Sequence, residues 1–536
     1  MSARAAALIL ALVASSAFAQ GRPEEDVLFG APADAGTPSP GAPSLPSQPI
    51  IPSAGPSPDR STSTGEQQIL TGPPAQDAFA AGLVKEDALK IGGQFYIRAI
   101  STISENQPVG KSSFNVPTLV DVYLDARPTD RLRAFVLGRL EYDPLLSSTT
   151  YLTGLNVSLT SLQQVSNPAV YLDQAWLAFD IARTAFVTAG VQHVKWGVTQ
   201  YFNPDDFLSS QPLNPLLLFD ARLGVSMLRV QIPWEKVGLN FTAVAVFQPT
   251  QSISTTATTV GGSGGTSINI VNGSPNNSTG FLEDVGVAGQ VEYDFKGGAV
   301  GVNALAQKYR AWRVGAYATA GVGDVDVYGE AVVRQCLDLP YSLPNTTCQP
   351  SLSTGIVVPG DYSGYSFGTV YQPASPLLQA VGGLTYSINF EGNKSITLGA
   401  EYFYNRASFN AAQYPNLLFQ GSYQPLYLGR NYLALSATLV DTTAKTTWVF
   451  TTIGNLTDLT AISRLDFIVT VLSYLQVEAY TAVDYGHLGG EFRFGVDIPN
   501  VTFNTGLSPP NPSRITTNLV IHAPIVQLGM GLRMAM

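Results

Sequence analysis

From residue 89 to the end of the chain, apolar and polar residues keep returning with a period of two. In 131–142, Leu132, Ala134, Val136, Gly138, Leu140 and Tyr142 alternate with Arg131, Arg133, Phe135, Leu137, Arg139 and Glu141. In 395–406, Ile396, Leu398, Ala400, Tyr402 and Tyr404 oppose Ser395, Thr397, Gly399, Glu401 and Asn405. The rhythm recurs in 475–484 and 526–536, and in 89–100 it sets Tyr96 and Arg98 against Phe95, Ile97 and Ala99. Side chains two apart share one face of a strand, so this pattern dictates strands with one apolar face.

Alternation alone fits a β-sandwich, a propeller or a membrane barrel, and three features select the barrel. The polar face carries ionisable residues at mid-strand: Asp121, Asp125, Arg139, Glu292, Asp294, Asp326, Glu330, Glu401, Arg464, Asp466 and Glu478. A dry core would be strongly destabilised by these, whereas a water-filled lumen accepts them. Short connections near 128–130, 182–184, 234–236, 296–297, 322–323, 391–393, 441–443 and 472–474 alternate with long ones. The long ones lie near 144–168, 197–221, 250–281, 337–376, 408–429 and 496–522, with tight hairpins near 311 and 457 on the same side. Short turns at one end and long loops at the other mark outer-membrane barrels. Aromatic residues (Tyr142, Trp196, Trp234, Tyr293, Tyr309, Trp312, Tyr402, Tyr404, Trp448) cluster at strand ends, as interfacial girdles do. The expected fold is all-β, a transmembrane antiparallel up-and-down β-barrel of about 18 strands, with roughly 16 to 20 left open.

Composition agrees. Charged residues make 13% of the chain, against about 25% in a typical soluble domain. A barrel in lipid needs charge only along its lumen, turns and loops. A formal net charge of −10 argues against nucleic acid as a partner, since phosphate needs a basic face. No stretch after residue 19 offers the about 20 apolar residues of a helical span.

Residues 1–19 are expected to be a signal peptide: Arg4 precedes an apolar run, and Ala17-Phe18-Ala19 offers a small-x-small cleavage site. Residues 20–74, rich in Pro and Ser, are expected to form a disordered periplasmic linker. Residues 75–88 are expected to be a short helix or extension, and 89–536 the barrel. The leading segment is too rich in Pro to fold as a globular plug, so an energised receptor is not expected. Cys336 and Cys348, twelve positions apart in an exported chain, are expected to close a loop as a disulfide, with no metal site and no cofactor.

The segment 189–224 carries Gly190-Val191-Gln192, Trp196-Gly197, Asn203-Pro204-Asp205-Asp206 and Asp220-Ala221-Arg222-Leu223-Gly224. It resembles a group of proteobacterial outer-membrane porin-like barrels with a GxQxxxWG strand followed by an NPxD outer loop. The start Glu86-Asp87-Ala88-Leu89-Lys90-Ile91-Gly92-Gly93 looks like the entry to their first strand. The resemblance covers about 140 residues and implies an outer-membrane porin or uptake channel, inserted by the barrel assembly machinery, without naming a solute. The C-terminal Met536 departs from the aromatic residue with which such barrels usually end.

Candidate pore-lining residues follow from the phase of the strands. Arg98, Arg131, Arg133 and Arg139 lie close to Asp121, Asp125 and Glu141, either as a transverse field or as paired wall charges. Glu292, Asp294, Asp326 and Glu330 make another wall acidic, and Glu401 and Glu478 share the inward phase. The turn at Asn203-Pro204 is either an outer-loop turn or part of a loop folded inward, with Asp205 and Asp206 near a constriction and Arg222 facing them. Catalysis is not expected. His193, His487 and His522 have no neighbouring G-x-S-x-G nucleophile motif, and His193 and Lys195 are expected at the upper interface with their tips in water. The Gly-rich run 261–265 is a loop tip.

These features favour a channel in the bacterial outer membrane, with lipid outside and small hydrophilic solutes diffusing through it. A substrate-selective uptake channel for an organic acid or saccharide, and a non-conducting surface barrel acting as an adhesin or anchor, are the alternatives. A homo-oligomer is left open.

Overall fold

A computed structural model describes residues 88–535 apart from 130, 146–166, 210–213, 217–221, 248–284, 308–309, 336–375, 391–393, 415–416, 418–424 and 505–513. The described chain is almost entirely strand. In order these are β1 (Leu89–Ser104), β2 (Ser113–Asn115), β3 (Thr118–Thr129), β4 (Leu132–Tyr142), β5 (Ala169–Ile181), β6 (Ala185–Gln192) and β7 (Val225–Trp234). There follow β8 (Leu239–Val246), β9 (Gly286–Phe295), β10 (Gly298–Gln307), β11 (Arg310–Val322), β12 (Val325–Arg334), β13 (Leu377–Phe390) and β14 (Lys394–Asn405). The last are β15 (Asn431–Asp441), β16 (Thr446–Asn455), β17 (Thr460–Leu472), β18 (Leu475–Gly486), β19 (Val496–Asn504), β20 (Arg514–Ile521) and β21 (Pro524–Ala535).

Eighteen of these strands, all but β2, β19 and β20, pair antiparallel with their neighbours in one continuous sheet. β21 closes it, pairing with β18 on one side and with β1 on the other, from Gln94 opposite Ala535 to Ser104 opposite Pro524. Closure removes both sheet edges, which lipid would leave without hydrogen-bond partners. The short turns, such as 182–184 and 296–297, lie at one end and the long connections at the other.

The two faces are inverted relative to a soluble protein. Val122, Val302 and Met530 are 53%, 55% and 65% exposed, while Arg98, Glu401 and Glu478 inside the barrel are 5%, 1% and 8% exposed. Inward-phase residues oppose one another across the ladder. Gln94 faces Asp121, Asp121 faces Arg139, Glu330 faces Val381, and Gly383 faces Glu401. One strand changes phase. In β5 the register slips between Leu137/Gln174 and Gly138/Leu172, leaving Asp173 as the extra residue of a bulge. Tyr171 above the bulge, Asp173 within it, and Trp176 and Ala178 below it therefore all point inward, while Leu172 and Leu177 stay outside.

Two expectations are corrected. Trp196 is not a girdle residue: it is 3% exposed and packs edge-on against Phe207 inside the barrel. His193 and Lys195 are not at an outer interface, as both turn inward, His193 to Asp173 and Lys195 to the carbonyl of Thr199. The long connection at 496–522 carries a separate hairpin of β19 and β20, with a shift between Ile498 and Val501 that accommodates Pro499. The girdle itself is present, with Tyr142, Trp234, Tyr293, Trp312, Tyr402 and Trp448 exposed on the outer face. The leader, the linker, Tyr309, the run 261–265, Cys336 with Cys348, and Met536 lie outside the described residues.

Candidate functional site: an inward loop across the lumen

β6 ends at Gln192, and the chain then turns into the barrel instead of returning directly to β7. Gly197 permits the turn. Its φ is +87°, and a Cβ there would meet Asn203 Oδ1 at 2.4 Å and Glu330 Oε2 at 2.5 Å. Asn203 then closes the loop on itself, its Nδ2 donating to the Trp196 carbonyl at 2.8 Å, and the amide of Phe207 donates to Asp205 O at 2.8 Å. Phe202, Phe207 and Leu208 are fully buried.

Two wall carboxylates hold this loop by its backbone. Glu401 on β14 accepts from the amides of Gln200 at 2.9 Å, Tyr201 at 3.2 Å and Phe202 at 2.7 Å. Glu330 on β12 accepts from Val198 N at 3.1 Å and Asp205 N at 3.4 Å. Successive amides converging on a carboxylate form an anion nest in reverse, with the wall supplying the anion. β14 is eight strands round an 18-strand barrel from β6, so the loop crosses the lumen. Further on, Arg464 of β17 donates to the Leu216 carbonyl.

Apolar packing seals the crossing. Phe202 lies 5.1 Å from Phe403 and 5.3 Å from Tyr432 between ring centroids, within a cluster that includes Tyr427 and Phe492 from the two later long loops. A second cluster gathers Trp196, Phe207 and Leu208 against Met227, Val246 and Leu305 of the wall. Tyr427 receives the Asn203 amide at 3.0 Å. Glu491 ties the later loops together, accepting from Tyr432 OH at 2.6 Å, from Asn455 Nδ2 at 2.8 Å and from the Leu426 amide. Burial pushes the Glu491 carboxyl up to about 8.

Of the predicted pore residues, Asp205 and Asp206 lie in the crossing loop. Asp205 Oδ2 accepts from Asn303 Nδ2 at 2.7 Å, while Asp205 Oδ1 and Asn303 Oδ1 have no hydrogen-bond partner among the described residues. Burial, reinforced by Asp206, raises Asp205 to about 7. Asp206 pairs with Arg222, which also donates to Ser209 at 3.0 Å. Glu330 and Glu401 are the anchors already described.

The remaining predicted residues lie elsewhere on the inner face. Arg139 grips Asp121 with two bonds of 2.8 and 3.0 Å, and Arg133 grips Asp125 with two of 2.9 and 3.0 Å. Arg98 bonds Glu478 at 3.0 Å, Glu141 accepts from Tyr171, and Arg131 at the turn end lies 3.7 Å from Asp180. Glu292 accepts from Tyr317, while Asp294 is exposed and Asp326 half-buried near the short-turn end.

Several residues of this site were not among the predicted ones: Asn303, Tyr427, Glu491 and the bulged Asp173. Asn303 carried a signal, since it shares the inward phase of β10. The others lie in long loops or depend on a register slip that no local pattern announces. Among the described residues no group of His, Cys, Asp or Glu is arranged to hold a metal ion.

No family model matches the chain, and no curated protein matches it. Among solved structures the chain is similar to OccAB1 of Acinetobacter baumannii, at 10% identity over 84% of this chain and 97% of that one, with a TM-score of 0.45. It is also similar to a BenF-like porin of Pseudomonas fluorescens Pf-5 (8%, 84% and 98%, TM-score 0.44) and to a mutant Rh. blastica porin (10%, 84% and 100%, TM-score 0.35). Likeness of this degree carries no functional argument.

Proposed function

We propose that the chain is an outer-membrane porin through which small hydrophilic solutes diffuse passively. The observation that carries this reading is the arrangement of the lumen. A loop pinned to β12 and β14 covers one side of it, while the inner faces of β3, β4 and β5 are lined by paired charges and keep Tyr123, Arg133, Phe135, Glu141, Tyr171 and Trp176 only half-buried. A passage narrowed from one side and left polar on the other admits small water-soluble molecules and no large ones. The apolar outer face places the barrel in lipid, and closed barrels of this form belong to bacterial outer membranes.

Purified, refolded protein should migrate differently on gels before and after heating and should give discrete conductance steps in planar bilayers. Heat-modifiable protein that never conducts would overturn the channel and favour the non-conducting surface barrel.

A further inference from the structure

On the wall that the crossing loop does not reach among the described residues, three aromatic side chains on adjacent strands face the lumen together. Tyr123 of β3, Phe135 of β4 and Trp176 of β5 share the inward phase with Asp121, Asp125 and Arg139, opposite the exposed Val122, Leu124, Val136 and Leu177. Their rings are nearly parallel, with centroids 5.9 Å apart at 23° and 5.4 Å apart at 25°. The bulge at Asp173 brings Trp176 into this row, because without the phase change it would point into lipid. All three remain half-buried, whereas Phe202, Phe403 and Tyr432 across the lumen are sealed beneath the loops. Half-buried rings beside a water-filled passage keep accessible apolar surface that a ligand can cover.

The surrounding polar groups narrow the choice of ligand. Arg133 lies over the Trp176 ring, 5.4 Å from its centroid, and is held by both oxygens of Asp125. Arg139 is held in the same way by Asp121, and Trp176 Nε1 donates to Gln174 at 3.1 Å. Arg127 also reaches Asp125, at 3.6 Å, and Arg139 also reaches Asp173, at 3.7 Å, so guanidinium and carboxylate groups interleave along the wall and it offers donors and acceptors with no excess of one sign. An anion gains little there. A neutral molecule with apolar C–H faces and a rim of hydroxyl groups matches both the rings and their flanks.

We propose that the Tyr123–Phe135–Trp176 row is a saccharide-binding strip along the diffusion path. This rests on the channel reading of the preceding section and adds a ligand class to it.

The test uses full-length protein reconstituted in planar bilayers, with maltotriose as the probe and benzoate as the charged aromatic comparator. Maltotriose should interrupt the ionic current in a concentration-dependent way, and Phe135→Ser or Trp176→Ser should weaken that block by about tenfold, the contribution of one aromatic contact. The outward Trp312→Ser should leave it unchanged. Heat-modifiable mobility establishes that each variant is folded. Titration calorimetry of maltotriose into the detergent-solubilised barrel decides binding independently of conductance, so a non-conducting barrel that binds the sugar removes the channel reading alone. A conducting barrel with no maltotriose block and no calorimetric binding, a block indifferent to both inward substitutions, or a block by benzoate in place of maltotriose would overturn the strip.

Discussion

The two sides of the lumen use the same residue types for different ends. On β12 and β14, Glu330 and Glu401 accept from the backbone of a loop that arrives from across the barrel. On β3 and β4, Asp121 and Asp125 accept from arginines of the neighbouring strand. The first arrangement is mechanical, since a carboxylate that collects several amides fixes where a chain segment lies. The second is electrostatic, since paired side chains leave a polar wall that costs little to hydrate. Sequence phase alone assigns all four acids to the same inner face, and their partners separate their roles.

Removing an anchor should therefore change the pore far more than removing a wall charge. Glu401→Ala leaves the amides of Gln200, Tyr201 and Phe202 without their acceptor, at a cost of about 1–3 kcal/mol for each buried group left unsatisfied. The crossing should detach, and single-channel conductance should rise several-fold with added current noise. An unchanged conductance would show that the apolar clusters hold the loop without Glu401. Gly197→Ala should act in the same direction and less completely, because it strains one turn at φ +87° and presses on Asn203 and the Glu330 carboxylate while leaving Glu401 in place. Its effect would be read as a mixture of wild-type and enlarged conductance levels.

On the opposite side, Arg139→Gln should leave the loop and the conductance level nearly untouched. It unbalances Asp121 and Asp173, the latter 3.7 Å from Arg139. The reversal potential in a salt gradient should shift toward cation preference. A shift toward anions, or a conductance change as large as that of Glu401→Ala, would erase the distinction between the two sides.

The barrel was legible because its two constraints are written locally. Period-two alternation survives in nearly every strand, and charges on the polar phase require a wet interior. The crossing loop was less legible because its content imitates other structures. Trp196 reads as an interfacial aromatic, and only Glu330 and Glu401, more than a hundred residues away, give its surroundings a reason to be inside. The residues Asn203, Asp205 and Asp206 signal a turn but not its direction. Pro499 reads as a strand breaker, and the β19–β20 hairpin tolerates it only through a register shift. The bulge at Asp173 inverts the phase of half a strand without any change in composition.

The smallest expected effect is the dependence of the loops on pH, and its sign follows from burial. Asp205, raised to about 7, and Glu491, raised to about 8, both hold a proton more tightly in the packed loops than in water. A carboxyl raised in this way favours the packed state fully below its ordinary range, and loses that advantage as pH climbs through the raised value. For Asp205 the geometry gives the reason. Asp206, Glu330 and Asn303 surround it, and its buried Oδ1 and the buried Oδ1 of Asn303 have no donor among the described residues. A proton on Asp205 supplies one. Current traces should therefore be quiet near pH 5 and show more excursions to larger levels as pH rises through about 7 to 8. Asp205→Asn, which carries its own donor, should flatten the lower part of that rise, and Glu491→Gln the upper part. Noise that grows on acidification, or a profile indifferent to both substitutions, would show that the crossing is held by Glu330, Glu401 and the apolar clusters without help from protonation.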